Sequence, residues 1–155
     1  MKHLDIFHDG INVFDVHEAM DLYSKALGLV WATPYRFEQL EVWTPETGRQ
    51  SISLEFTYSI EGPRHLEIMC GPPGSFYDPR QRSGCHYGFW SDDVSADVRS
   101  LTALGWTVAI AGARPEDGYG QFVYLSRPDS LLMVEVVSRE LAPTFERWWG
   151  GRPFA

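Results

Sequence analysis

Apolar and polar positions along this chain switch between two periods, and the switches come in the same order twice. Residues 4–13 are apolar and rich in β-favouring types, which predicts a strand. From Asp15 the spacing becomes helical, with Ala19, Met20, Leu22, Tyr23, Ala26 and Leu27 on one side. Asp15 suits an N-cap, Glu18 completes a capping-box-like start, and Gly28 suits the stop. Strands are predicted over 29–32, 37–43, 52–59 and 65–70, separated by Pro34, Pro45-Glu46-Thr47-Gly48 and Glu61-Gly62-Pro63. Residues 71–84 carry Pro, Gly, Ser, Asp and Arg and read as a linker.

The order then repeats. Residues 87–90 predict a strand. Asp93 caps a helix that buries Val94, Val98, Leu101 and Leu104 and stops at Gly105. Strands follow over 106–110, 121–125 and 131–137, with a loop over 112–118 and the turn Arg127-Pro128-Asp129-Ser130. Residues 139–149 predict a helical tail whose apolar side is Leu141, Phe145, Trp148 and Trp149. The doubled Trp destines it for a sheet, a cleft mouth or a second subunit.

The repetition reaches single residues. His8-Asp9-Gly10 has its counterpart in His86-Tyr87-Gly88, with both His and Gly displaced by the same interval (86 − 8 and 88 − 10). Ala26-Leu27-Gly28 returns as Ala103-Leu104-Gly105, one residue out of step. A period of half the chain marks a tandem duplication of one β-α-β-β-β unit. The expected fold is α+β, two tandem βαβββ modules forming curved mixed sheets around a cleft. The expected divisions are 1–72 and 84–138 for the modules, 73–83 for the linker and 139–155 for the tail.

Composition narrows the partners. The 155 residues carry a formal net charge of −8 with no basic cluster, so nucleic acid and anionic membranes are not expected partners. No apolar run is long enough to span a bilayer, and the N-terminus lacks a signal-peptide core. Cys70 and Cys85 fit buried free thiols rather than a disulfide framework. A soluble cytoplasmic protein is the expectation.

Candidate chemistry comes from the duplicated positions. Strand side chains alternate between faces, so His8 shares a face with Gly10 and Asn12, and His86 with Gly88 and Trp90. The last strand of each half holds one Glu in an apolar run, Leu66-Glu67-Ile68 and Val134-Glu135-Val136. A carboxylate there is costly unless paired or bound to a metal. Singly, each residue fits a structural role. Together, two imidazoles and two carboxylates at duplicated places point to one divalent cation on His8, Glu67, His86 and Glu135. Its identity stays open among Zn, Ni, Co, Mn and Fe. His65 shares the Glu67 face but has no counterpart, so it ranks as peripheral. His3 and His17 read as surface residues.

On these pieces, with the helix end Tyr23-Ser24-Lys25-Ala26-Leu27-Gly28-Leu29, the chain resembles the vicinal oxygen chelate superfamily of glyoxalases, epimerases, extradiol dioxygenases and antibiotic-resistance proteins. The resemblance spans roughly residues 4–138. It implies paired βαβββ modules around a divalent metal, ligands at His8, Glu67, His86 and Glu135, and commonly a dimer. The implied chemistry is that of a lyase, isomerase or epimerase. The metal polarises a carbonyl or vicinal-oxygen substrate, and Glu67 or Glu135 serves as the base. The family's usual Asp-Pro-Asp-Gly turn is here Arg127-Pro128-Asp129-Ser130, and Glu135 falls one residue late, which implies a longer loop or a bulge. Two other readings stand beside this one: a metal-independent binding protein, and an iron-dependent extradiol-type dioxygenase. Trp90, Tyr124, Trp43 and Phe76, with Trp31 and Tyr77, are candidates for the pocket wall. A wall of that kind suits a hydrophobic or aromatic small molecule. Arg80 and Arg82 fit solvated residues or partners of an anionic tail.

Overall fold

The computed structural model describes residues 3–81 and 85–155; Arg82 lies outside them. The first half is β1 (Asp5–Asn12), α1 (Val16–Leu27), β2 (Tyr35–Thr44), β3 (Gly48–Tyr58) and β4 (His65–Cys70). The second is β5 (His86–Ser91), α2 (Val94–Ala103), β6 (Thr107–Ala111), β7 (Phe122–Ser126) and β8 (Met133–Ser138), followed by α3 (Ala142–Trp149). Each half is therefore β-α-β-β-β, as the periodicity predicts.

The eight strands close into one barrel in the order β1-β4-β3-β2-β6-β7-β8-β5. Within each half the first strand runs parallel to the last, β1 with β4 and β5 with β8. The halves meet antiparallel at β1–β5, and again at a narrow seam where Trp43 pairs with Ala111.

Burial follows from alternation. On β7 and β8, Val123, Leu125, Val134 and Val136 face outward under Val94 and Val98 of α2. Ile68 of β4 faces outward under Val16 and Ala19 of α1. The opposite faces fill the barrel with a cluster that includes Phe56, Tyr58, Met69, Tyr124 and Val137. Strands buried on both faces read as nearly unbroken apolar runs, and this is why the two glutamates stand out.

The caps form as expected. The Asp15 carboxylate accepts the Glu18 N–H at 2.8 Å, and Gly28 closes α1 at φ 70°. Asp93 accepts the Ala96 N–H at 2.9 Å. Changing Asp15 to Ala is expected to cost about 1 kcal/mol, a fall in melting temperature of roughly 2–4 °C for a chain of this size. Thermal denaturation followed by circular dichroism checks it.

Three expectations are corrected. Residues 29–32 form no strand, only an isolated bridge between Trp31 and Ser59. The Trp31 indole turns to α1, where its N–H donates to Met20 O and Ser24 Oγ. Leu104 is 49% exposed because α2 ends at Ala103, leaving it beyond the last turn. Cys85 precedes β5 and is exposed, while Cys70 is half-buried; both are free.

The tail is not one helix. A 3-10 turn over Arg139–Leu141 leads into α3, with Pro143 in its first turn, where a missing N–H costs nothing. Of the three destinations open to it, the tail takes the cleft. Phe145 and Trp148 are buried against the barrel interior, and the Trp148 indole donates to Thr33 O at 2.8 Å. No described helix is long and apolar enough to cross a membrane.

Candidate metal centre

The four central strands stand in the order β4-β1-β5-β8. Their registers produce two crossing rows. Gly10 of β1 lies beside Glu67 on one side and His86 on the other. Gly88 of β5 lies beside Glu135 and His8 in the same way. Each imidazole projects over the glycine of the opposite strand. A Cβ on Gly10 would overlap the His86 ring, and one on Gly88 the His8 ring. The two conserved spacings of the duplication are thus one device, since each His needs the other half's Gly.

A register shift in β1 between Ile6 and His8 helps aim the first ring. It brings Phe7 inside as well, stacked on Trp90 at 3.7 Å with its edge to His8. Bulges of this kind redirect side chains next to functional sites. Glu135 pairs opposite Tyr124 in an unshifted β7–β8 register. The extra residue ahead of it is therefore taken up in the exposed 130–132 loop rather than as a bulge in β8.

The four side chains converge at depth. His8 is 0% exposed, Glu67 4%, His86 5% and Glu135 6%. Their donor atoms all lie within 4.8 Å of one another. His8 Nε2 is 3.0 Å from His86 Nε2, 2.9 Å from Glu135 Oε2 and 3.3 Å from Glu67 Oε2, and His86 Nε2 is 3.3 Å from Glu135 Oε2. Two donors about 2.1 Å from a common ion at a right angle would stand about 3.0 Å apart.

Protons alone serve this arrangement poorly. One imidazole N–H can point at one acceptor, yet three donor atoms face His8 Nε2. Glu135 Oε2 and His8 Nδ1 have no hydrogen-bond partner. The donor set and its orphaned oxygen fit a divalent cation held by four protein ligands.

Burial acts on every member of the cluster whose ionisation is displaced. Burial, reinforced by the charge of Glu135, pushes the Glu67 carboxyl well above the usual range. Burial acts the same way on Glu135, but the His8 and His86 imidazoles close to its Oε2 outweigh it and bring that carboxyl to about 2. Burial lowers His8 despite its contact with Glu135.

A cavity of about 210 Å³ opens onto both glutamates. Its outer wall is apolar, with Phe37, Leu40, Leu54, Phe56, Phe145 and Phe154. Its inner end carries Tyr58, Tyr77 and Tyr124 beside the carboxylates. Among the described residues no Lys or Arg lines it.

Of the aromatics singled out in the sequence, Tyr124 and Tyr77 line this cavity. Trp90 stacks on Phe7 instead. Trp43 sits at the β2–β6 seam against the second core cluster, and Phe76 packs behind Tyr124 at 4.9 Å. Arg80 ties down Asp78 in the linker and lies away from the cavity. His65 donates its Nδ1–H to Ser59 O at 2.6 Å and stacks on Trp149, outside the donor cluster. Two parts of the wall escaped sequence reading. The inward alternation of Leu54, Phe56 and Tyr58 on β3 could have revealed the first. Phe154 carried no signal.

A barrel of paired βαβββ halves around a buried His/Glu cluster defines the glyoxalase-like class of metal-site folds. The chain belongs to the glyoxalase/bleomycin resistance protein/dioxygenase superfamily, whose model matches residues 7–124. No curated protein sequence matches it. Among solved structures it is similar to methylmalonyl-CoA epimerase from Streptomyces coelicolor, at 18% identity and TM-score 0.57, covering 86% of this chain and 92% of that one. Methylmalonyl-CoA epimerase from Mycobacterium tuberculosis is similar at 16% identity and TM-score 0.56, covering 89% and 91%. A 4-hydroxymandelate synthase mutant from S. coelicolor is similar at 13% identity and TM-score 0.54, covering 88% of this chain. The chain spans 48% of that synthase's length.

Proposed function

We propose that this protein is a metal-dependent lyase, isomerase or epimerase holding one divalent cation on His8, Glu67, His86 and Glu135. The observation that carries the reading is the convergence of those four donors from both halves of one chain, with Glu135 Oε2 left without a hydrogen-bond partner. The cation would polarise a carbonyl or one of two adjacent oxygens on the substrate. Everything else falls to the chain. Glu67 and Glu135 both face the cavity, and one of them removes the proton next to the polarised carbon and returns it. The closed barrel and the aromatic wall keep water from the carbanion-like species formed between those events.

The substrate we infer is compact, with an oxygen-bearing end and an apolar or aromatic body. About 210 Å³ is small beside the roughly 300–1,000 Å³ of typical ligand pockets, and the outer wall offers phenyl and leucyl surface. With no cationic side chain lining the cavity among the described residues, a coenzyme A thioester is not the substrate we infer.

One observation favours a second reading. His8, His86 and Glu135 stand within 2.9–3.3 Å of one another, whereas Glu67 meets only His8. A face of two His and one carboxylate suits an iron-dependent dioxygenase. Oxygen uptake with a catechol by the iron-loaded protein tests that.

Elemental analysis of protein purified without chelator is expected to find about one divalent ion per chain. Reloading the stripped protein should raise its melting temperature, since an ion at 100 times its dissociation constant stabilises by about 2.7 kcal/mol. An ion content far below one per chain, with no gain on reloading, would instead favour a metal-independent binding protein.

A further inference from the structure

Distance from the donor cluster can be read along β3. Tyr58 stands opposite Glu67 at the level of the site, as Tyr124 of β7 stands opposite Glu135. Phe56 is the next residue on the same face of β3, about 7 Å further along the strand, and Leu54 is the one after. All three line the cavity together with both glutamates. Phe154 meets this row at Phe56. Its ring lies 5.5 Å from Phe56 and, on the neighbouring β2, 4.6 Å from Tyr35 and 5.9 Å from Phe37. Tyr35 pairs with Phe56, and Phe37 with Leu54. Phe154 therefore stands in the cavity wall one step beyond the donors. It is half-buried where the two glutamates are buried.

The tail fixes the ring in that place. The Trp148 indole donates to Thr33 O, and Trp149 stacks on His65 at 3.6 Å. Past α3, the N–H groups of Gly151 and Arg152 donate to Trp148 O and Arg147 O, and Gly151 takes φ 94°. That left-handed turn, which suits glycine, returns the chain to the cavity. There Phe154 packs on Trp148 at 4.9 Å and on Phe145 at 5.8 Å.

We propose that Phe154 is a specificity-determining residue: its ring sets how far an apolar body can extend from an oxygen-bearing end held at the donor cluster. One step of β3 leaves space for a body of about one aromatic ring. This inference deepens the function proposed above and rests on its cation site. A ring that only stabilised the tail would affect every ligand alike. A ring that limits length discriminates between ligands by size.

The test follows the visible absorption of the Co²⁺-loaded full chain as three hydroxamates bind. Each presents two adjacent oxygens, and the body grows from methyl to phenyl to biphenyl. The parent should bind the biphenyl probe at least about tenfold more weakly than the phenyl probe, the scale on which pockets discriminate apolar bulk. Phe154→Ala should reduce that gap to less than about threefold. Phe154→Trp should weaken the phenyl probe at least about tenfold through overpacking. The methyl probe should bind all three chains within about twofold, as expected when the substituted group lies beyond its reach. An unchanged phenyl-to-biphenyl ratio in Phe154→Ala, or an equal shift for all three probes, would overturn the proposal while leaving the cation site standing. Should the Ala variant fail to fold, unchanged phenyl binding in Phe154→Trp would overturn it in the same way. A Co²⁺-loaded parent whose spectrum responds to no hydroxamate would also sink it. Failure of the parent to take up Co²⁺ would overturn the site and this inference together.

Discussion

Replacing Gly88 with Ala is expected to weaken divalent-cation binding by at least about 100-fold while leaving the chain folded. The new methyl would occupy the place of the His8 ring, so the ring must swing away or the β1–β5 pair must part. Gly88 is not among the glycines at positive φ, so backbone strain adds little. The cost is overpacking, typically about 1–3 kcal/mol. His8 is the hub of the cluster, within 3.3 Å of the other three donors, so its displacement removes more than one ligand's share. Gly10→Ala should act the same way through His86. Titration of the stripped variants with Co²⁺, beside their melting curves, separates loss of the site from loss of the fold. Near-parental affinity in both variants would mean that the rings do not need the two glycines.

Glu135→Gln is the second large effect. The amide keeps the side chain's shape but not its charge, and its Oε2 neighbours are both imidazoles. Cation affinity should fall by about 10–100-fold, the range seen when one partner in a metal site is altered. Turnover, once a substrate is known, should fall by at least about 10³-fold, because both charge stabilisation and a proton-transfer group are affected. The metal-free melting temperature should move by no more than roughly 4 °C, since about 1 kcal/mol corresponds to 2–4 °C at this chain length. A variant that kept a full complement of ion would remove Glu135 from the ligand set.

Much of this architecture was legible before any coordinates. The change of period at Asp15 and Asp93 located both helices. The repeated His-x-Gly and the Glu within each last strand marked the four side chains that the barrel gathers. These signals are local. They depend on alternation within one strand and on spacing within one helix, and a duplication writes them twice.

The site's tyrosines show why the remainder was not legible. Tyr58 precedes Glu67 by nine residues (67 − 58) and Tyr124 precedes Glu135 by eleven (135 − 124). The loops joining those strands are equally long, 59–64 and 127–132, but Tyr58 ends β3 whereas Tyr124 lies two residues before the end of β7, so no fixed interval reveals that the two pairs are equivalent. Cross-strand register decides it, through hydrogen bonding between segments. Trp90 and Trp43 show the same limit from the other side. Alternation told which residues share a strand face. It did not tell that a register shift in β1 would bring Phe7 inside to cover Trp90, or that Trp43 would sit at the seam between the halves.

The chain's own pattern thus determined the twin β-α-β-β-β order, the capped starts of the first two helices and the identity of the four converging side chains, because each follows from interactions over a few residues. Closure of the barrel decided the rest: the passage of each imidazole over the opposite glycine, the placing of a tyrosine opposite each glutamate, and the C-terminal tail as a cavity wall. Those features depend on which strands become neighbours and in what register, and only packing of the whole chain sets that.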